Sequence, residues 1–99
     1  MRQIFVRYKV KPEHVEQNEA LIRDVFAELS QDTPDGVRYM VFKMEDMKTF
    51  LHVASIETAD GSNPLAKAAA FKAFTKELKD RCDEQPVAID LIPIDSYRF

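Results

Sequence analysis

The stretch Thr49 to Glu57 restricts the fold more than any other feature of this chain. Phe50, His52, Ala54 and Ile56 alternate with Leu51, Val53, Ser55 and Glu57. Period two marks a strand, and both of its faces are largely apolar. Such a strand belongs in the middle of a sheet and has to be covered on both sides. A chain of 99 residues has few elements with which to cover it.

The other elements follow from periodicity. Ile4, Val6, Tyr8 and Val10 alternate with Phe5, Arg7 and Lys9, which predicts a first strand. Pro12 ends it and suits the first turn of a helix, where Glu13 and Glu16 meet the positive end of the helix dipole. Over Pro12 to Leu29 the residues Val15, Ile22, Val25, Phe26 and Leu29 form one stripe, with Asn18 on it. Ser30 to Gly36 is turn chemistry throughout. Val37, Tyr39 and Val41 alternate with Arg38, Met40, Phe42 and Met44 in a second strand. Glu45 to Lys48 reads as the hairpin into the Thr49 strand. Asn63 is a natural N-cap and Pro64 a natural first helical residue. Leu65 to Cys82 is then predicted as one helix, with Lys67, Phe71, Phe74, Leu78 and Cys82 on its buried stripe. Pro86 marks its exit. Val87, Ile89 and Leu91 start a last strand that breaks at Pro93, resumes from Ile94 to Phe99 and lies near an edge.

Strand, helix, strand, strand, helix, strand is the ferredoxin-like βαββαβ order of an α+β fold. Right-handed crossovers place both helices on one face of a four-stranded antiparallel sheet. Residues 1–99 are expected to form a single domain. No helix remains for the other sheet face. The two-sided Thr49 strand and Phe5 therefore predict a homodimer that packs sheet on sheet.

Composition narrows the function. Lysine and arginine number 14 against 17 acidic residues, a formal charge of −3. A strongly basic nucleic-acid binder is excluded. One cysteine excludes a disulfide framework and a cysteine-rich zinc site. No apolar run approaches the ~18 residues of a membrane span, and Arg2, Arg7, Lys9 and Lys11 interrupt any leader-like apolar start. The expectation is a cytoplasmic protein with no membrane and no nucleic-acid partner. Two glycines cannot supply a phosphate-binding loop or a dinucleotide fingerprint. No metal site is expected, because the two histidines, His14 and His52, sit in no ligand spacing.

His14 reads as an exposed first-turn residue and Cys82 as a buried small hydrophobe. His52 sits mid-strand in an apolar context, as a hydrogen-bonded core or interface histidine or as a general base. Tyr8, Phe26, Tyr39, Phe71 and Phe74 fall on faces that can look into the space between sheet and helices, and Asn18 and His52 can add polar groups there. Apolar walls with a few convergent polar groups describe a small-molecule site. The same aromatics equally describe a plain core. If Leu51, Val53 and Ser55 face the helices instead, His52 lies in the dimer interface. Arg7, Arg38 and Arg98 are placed on strands, where pairing with Glu57 or Asp90 is expected.

The first strand running into Val10-Lys11-Pro12, the βαββαβ order, and Asn63-Pro64-Leu65 leading to Phe71-Lys72-Ala73-Phe74 resemble the antibiotic biosynthesis monooxygenase group of dimeric α+β barrel proteins. The resemblance spans essentially the whole chain. It implies a homodimer formed through the sheets. It also implies oxidation of a small phenol- or quinol-type aromatic by molecular oxygen, with no cofactor. The haem-degrading branch of this fold uses an asparagine on the first strand, a tryptophan, and a histidine on the second helix. Here the first strand offers Val6 and Tyr8, there is no tryptophan, and Pro64 to Cys82 holds no histidine. The resemblance allows Tyr8, Asn18, Tyr39 and His52 as cavity groups; together with the facing aromatics this gives His52, Tyr39 and Asn18 as candidate catalytic groups and Tyr8, Phe26, Phe71 and Phe74 as candidate substrate-binding groups. The alternative is a homodimer of the same fold that binds a small molecule without turnover or is purely structural.

Overall fold

The computed structural model describes residues 1–99. Strands β1 (Arg2–Val10), β2 (Val37–Lys43), β3 (Thr49–Ile56) and β4 (Cys82–Leu91) form one antiparallel sheet in the order β2-β3-β1-β4. Helix α1 (Val15–Asp32) and the short helices α2 (Ala69–Lys76) and α3 (Leu78–Arg81) lie on one face of it. The Thr49 strand is central, as its two apolar faces require.

A 3-10 turn over Pro12–His14 leads into α1, and His14 is half-buried rather than exposed. Asn18, Ile22 and Val25 are the buried residues of α1. The helix runs three residues past Leu29 and stops where Thr33 turns left-handed and donates its N–H to the Leu29 carbonyl at 2.8 Å. Lys43 bridges to Glu19 at 3.0 Å and pins the β2 edge to α1. The hairpin between β2 and β3 is closed by the Asp46 carboxylate, which accepts from Lys48 N, Thr49 N and Thr49 Oγ1. Gly36 has φ +80°, and a Cβ there would sit 2.6 Å from Thr58 Cγ2, so only glycine suits this crossing.

The segment expected as one helix is broken. A 3-10 turn covers Pro64–Lys67, Ala68 is extended with ψ 126°, and α2 begins at Ala69. Leu65 and Phe74 are nine positions apart, which at about 3.6 residues per turn is half a turn out of phase. One continuous helix would turn one of them to solvent. Breaking at Ala68 buries both: Leu65 packs with Ala54 and Ile56, and Phe74 packs with Tyr8 and Phe50. Lys67, expected on the buried stripe, is exposed instead. Asn63 Oδ1 caps the first turn through Leu65 N at 3.0 Å. The Glu28 carboxylate, reaching over from α1, accepts from Ala69 N and Ala70 N and caps α2.

The last strand also starts earlier than expected. Val10 pairs with Cys82, and Lys11 N donates to the Arg81 carbonyl at 2.8 Å. Pro86 lies inside β4, at a register shift between the Arg7 and Lys9 pairings, where its missing N–H costs no ladder bond. β4 is an edge strand and ends at Leu91; Ile94 to Phe99 form no strand. Arg98 therefore sits off the sheet, stacked on Tyr97. Arg38 does pair with Glu57, at 3.2 Å, whereas Arg7 pairs with Glu84.

Register fixes the two faces. Ile4, Val6, Tyr8 and Val10 share the helix side with Tyr39, Phe50, His52 and Ala54. Phe5, Met40, Phe42, Val53 and Ile89 lie on the side that no helix covers. Phe42 and Ile89 are each 48% exposed there, and Ile92, Ile94 and Phe99 of the following tail are more exposed still. A hollow of about 870 Å³ separates this end of the open face from the tail.

Candidate active site

His52 is turned toward the helices, not toward the open face, and it is 6% exposed. On the sheet it stands directly opposite Val41 and Val6. Its diagonal neighbours are Tyr39 on β2 and Tyr8 on β1, within reach of long side chains. The Tyr8 hydroxyl lies 2.7 Å from His52 Nε2, and the Tyr39 hydroxyl 2.5 Å from Nδ1. The imidazole is thus held at both nitrogens by phenols from the flanking strands.

The network continues away from the sheet. Asn18 Nδ2 donates to the Tyr8 hydroxyl at 3.0 Å. Arg81 Nε donates to Asn18 Oδ1 at 3.1 Å, and Arg81 Nη2 donates to the Phe74 carbonyl at 2.8 Å. The guanidinium also lies 5.3 Å from the Phe74 ring centroid. Asn18 and Arg81 are both buried, and no carboxylate pairs with Arg81. No buried side-chain nitrogen or oxygen is left without a partner.

Burial sets the protonation states. His52 has few water contacts to support an imidazolium, so its pKa is pushed down to about 4 and it is neutral at pH 7. Burial likewise pushes both Tyr8 and Tyr39 well above the ordinary phenol value, partly offset at Tyr8 by the Asn18 hydrogen bond. All three groups are uncharged at neutral pH.

Beside this cluster is a cavity of about 180 Å³. Ile4, Val6 and Tyr8 of β1, Tyr39 of β2, and His52 and Ala54 of β3 form its floor. Leu65, Phe71, Phe74 and Leu78 form its roof, and Asn63 and Thr75 lie at its rim. A dry apolar cavity of roughly 150 Å³ accommodates benzene, so this one has room for a single aromatic ring.

Of the candidate residues, Tyr8, Tyr39, His52, Phe71 and Phe74 line this cavity. Asn18 does not; it reaches it only through Tyr8. Phe26 lies behind Tyr39, its ring stacked at 5.2 Å and 14°, and it supports the wall without lining it. Sequence reasoning passed over Arg81, Asn63 and Leu65 as parts of the site. The signal for Arg81 was available: it follows Phe74 by seven positions, about two helical turns, and so continues the buried stripe.

No protein-family model matches the sequence, and no curated protein matches it. Solved structures do match its shape. An antibiotic biosynthesis monooxygenase superposes with a TM-score of 0.77 at 11% identity, covering 96% of this chain and all of the other. Rv0793 from Mycobacterium tuberculosis gives 0.76 at 12% identity, over 96% of each chain. SnoaB from Streptomyces nogalater, a cofactor-independent oxygenase solved as its N63A mutant, gives 0.72 at 11% identity, over 99% of this chain and 97% of the other. The helices on one face of a β2-β3-β1-β4 antiparallel sheet are therefore the α+β, ferredoxin-like fold of the antibiotic biosynthesis monooxygenase structures.

Proposed function

We propose that this protein is a cofactor-independent monooxygenase that oxidises a small phenol- or quinol-type aromatic in the cavity between sheet and helices. The observation that carries the reading is the neutral, buried His52, held between two tyrosine hydroxyls at the floor of an apolar cavity the size of one ring. A phenol that loses its proton becomes electron-rich enough to reduce oxygen itself. His52 is the proton acceptor at Nε2, reached through the Tyr8 hydroxyl. Tyr39 donates a hydrogen bond to the oxyanion that develops, and Asn18 acts through Tyr8. Phe71 and Phe74 hold the ring and exclude water, with Phe26 behind Tyr39. One oxygen atom ends in the quinone and the other in water, so the aromatic itself is the reductant. Structural neighbours named as monooxygenases, one of them a cofactor-independent oxygenase, support this reading.

The active species in this reading is a homodimer that packs through the open sheet face. The apolar surface of Phe42, Ile89 and their neighbours supports it. No helix of the chain is long and apolar enough to cross a membrane.

The test is oxygen consumption in an electrode cell with a panel of single-ring phenols and quinols. Uptake that His52→Ala abolishes supports the assignment. Undiminished turnover in His52→Ala overturns the role of His52. Ligand-dependent thermal stabilisation without oxygen uptake replaces the enzyme with a binding protein.

A further inference from the structure

Arg81 has no place in the chemistry described so far. It is nevertheless a buried guanidinium with no carboxylate partner, joined to His52 by an unbroken chain of hydrogen bonds. Each link in that chain restricts the next. A guanidinium can only donate, so Asn18 must turn Oδ1 toward Arg81 and Nδ2 toward Tyr8. The Tyr8 oxygen therefore accepts from Asn18. Its own proton then has one acceptor available, His52 Nε2 at 2.7 Å. If Nε2 carried a proton instead, the Tyr8 hydroxyl proton would be left without an acceptor on a residue that is 1% exposed. With Nε2 accepting, the ring proton of neutral His52 is on Nδ1 and is donated to the Tyr39 oxygen at 2.5 Å. The Tyr39 hydroxyl proton is then the one free donor of the chain. Tyr39 lines the cavity, so a ligand oxygen is the acceptor within reach.

We propose that Arg81 is a positioning residue: through Asn18 and Tyr8 it fixes the tautomer of His52, and so makes Tyr39 a hydrogen-bond donor to an anionic oxygen in the cavity. No carboxylate or lysine lines that cavity, and the titratable groups facing His52 are Tyr8 from β1 and Tyr39 from β2. The free Tyr39 hydroxyl thus favours a ligand that brings an acceptor oxygen over a purely apolar one. The inference deepens, and rests on, the reading of this cavity as the ligand site, but its first test needs no ligand.

That test is nitrogen-15 NMR of histidine-labelled protein at neutral pH. There are two histidines, and His14→Gln assigns the spectrum. The expected result is a proton on Nδ1 of His52 and a bare Nε2. Arg81→Met frees the Asn18 amide to turn over, and Asn18→Asp is an isosteric change that accepts from Tyr8 while keeping Arg81 paired. Both are expected to move the proton to Nε2. A wild-type proton on Nε2 overturns the proposal whether or not the variants fold, and so does a folded variant that keeps it on Nδ1. The ligand probes are 4-nitrophenolate and toluene. Arg81→Met should weaken 4-nitrophenolate roughly tenfold or more and leave toluene unchanged. Equal loss of both overturns the positioning role. Failure of wild type to bind either, with the tautomer as expected, removes the ligand-site reading and leaves the tautomer assignment standing.

Discussion

The Tyr8 hydroxyl lies 2.7 Å from Nε2 of His52, across the boundary between the two central strands. The burial of the imidazole that makes this bond ties protonation to folding. In the unfolded chain His52 takes up a proton near its ordinary value of 6.5, whereas in the folded protein it does so only near pH 4. Between these values the unfolded state binds more protons, so stability rises with pH across the window and falls as the solution is acidified through it. Below the window both states are protonated and this loss stops growing. The full effect is on the order of 3 kcal/mol. Denaturant unfolding at a series of pH values should show that slope in wild type, and His52→Gln should remove it. Asp46, lowered to about 2 by its Thr49 and Lys48 hydrogen bonds, acts in a more acidic range and so does not mimic the signal.

Tyr39→Phe keeps the ring stacked on Phe26 and removes the hydroxyl alone. It should cost about 1–3 kcal/mol in urea unfolding, because it leaves the Nδ1–H of buried His52 without its acceptor. Affinity for a single-ring phenolate, measured by calorimetry, should fall about tenfold. Unchanged affinity would place the ligand oxygen elsewhere.

Phe71 forms part of the cavity roof and is only half-buried. Phe71→Ala should therefore cost about 2 kcal/mol, below the range for a fully buried ring, and open room for a second ring. Thermal shifts with a phenol and a naphthol should reverse their order between wild type and variant. Phe74→Ala should be far more damaging, since that ring also packs on Tyr8, His52 and Arg81.

Ile89 lies on the open face of the edge strand and is half-exposed in the single chain. An aspartate there meets water in a lone protomer but becomes a buried unpaired charge in a sheet-on-sheet dimer, a penalty of roughly 3–5 kcal/mol. Native mass spectrometry should find Ile89→Asp as a folded monomer where wild type is a dimer. A dimer that survives the change would move the interface away from this face.

The element order and the two faces of each strand were legible because they depend on periodicity alone. Alternation could not say which face of the Thr49 strand turns inward. That sign depends on the register that sets His52 beside Tyr8 and Tyr39, a long-range property. The break at Ala68 was hidden for a related reason. Leu65 to Cys82 reads as one acceptable helix until the sheet demands that Leu65 and Phe74 point the same way. Arg81 was passed over because a charged residue at a helix end is ordinarily solvated; its burial depends on Asn18 and the Phe74 carbonyl, neither of which is its neighbour in sequence.

The division of the second helical segment at Ala68 also changes what covers the cavity, from one rod to separate pieces. A single long rod over the sheet would have to lift as one body, breaking most of the core at once. Here an eight-residue piece carries Phe71 and Phe74, bounded by extended Ala68 and by Glu77 at φ −122°. Its first two amides are held by one carboxylate from α1 rather than by a preceding turn. The piece is therefore joined to Leu65 and to α3 through non-helical residues, so a displacement of it need not be carried along one continuous rod.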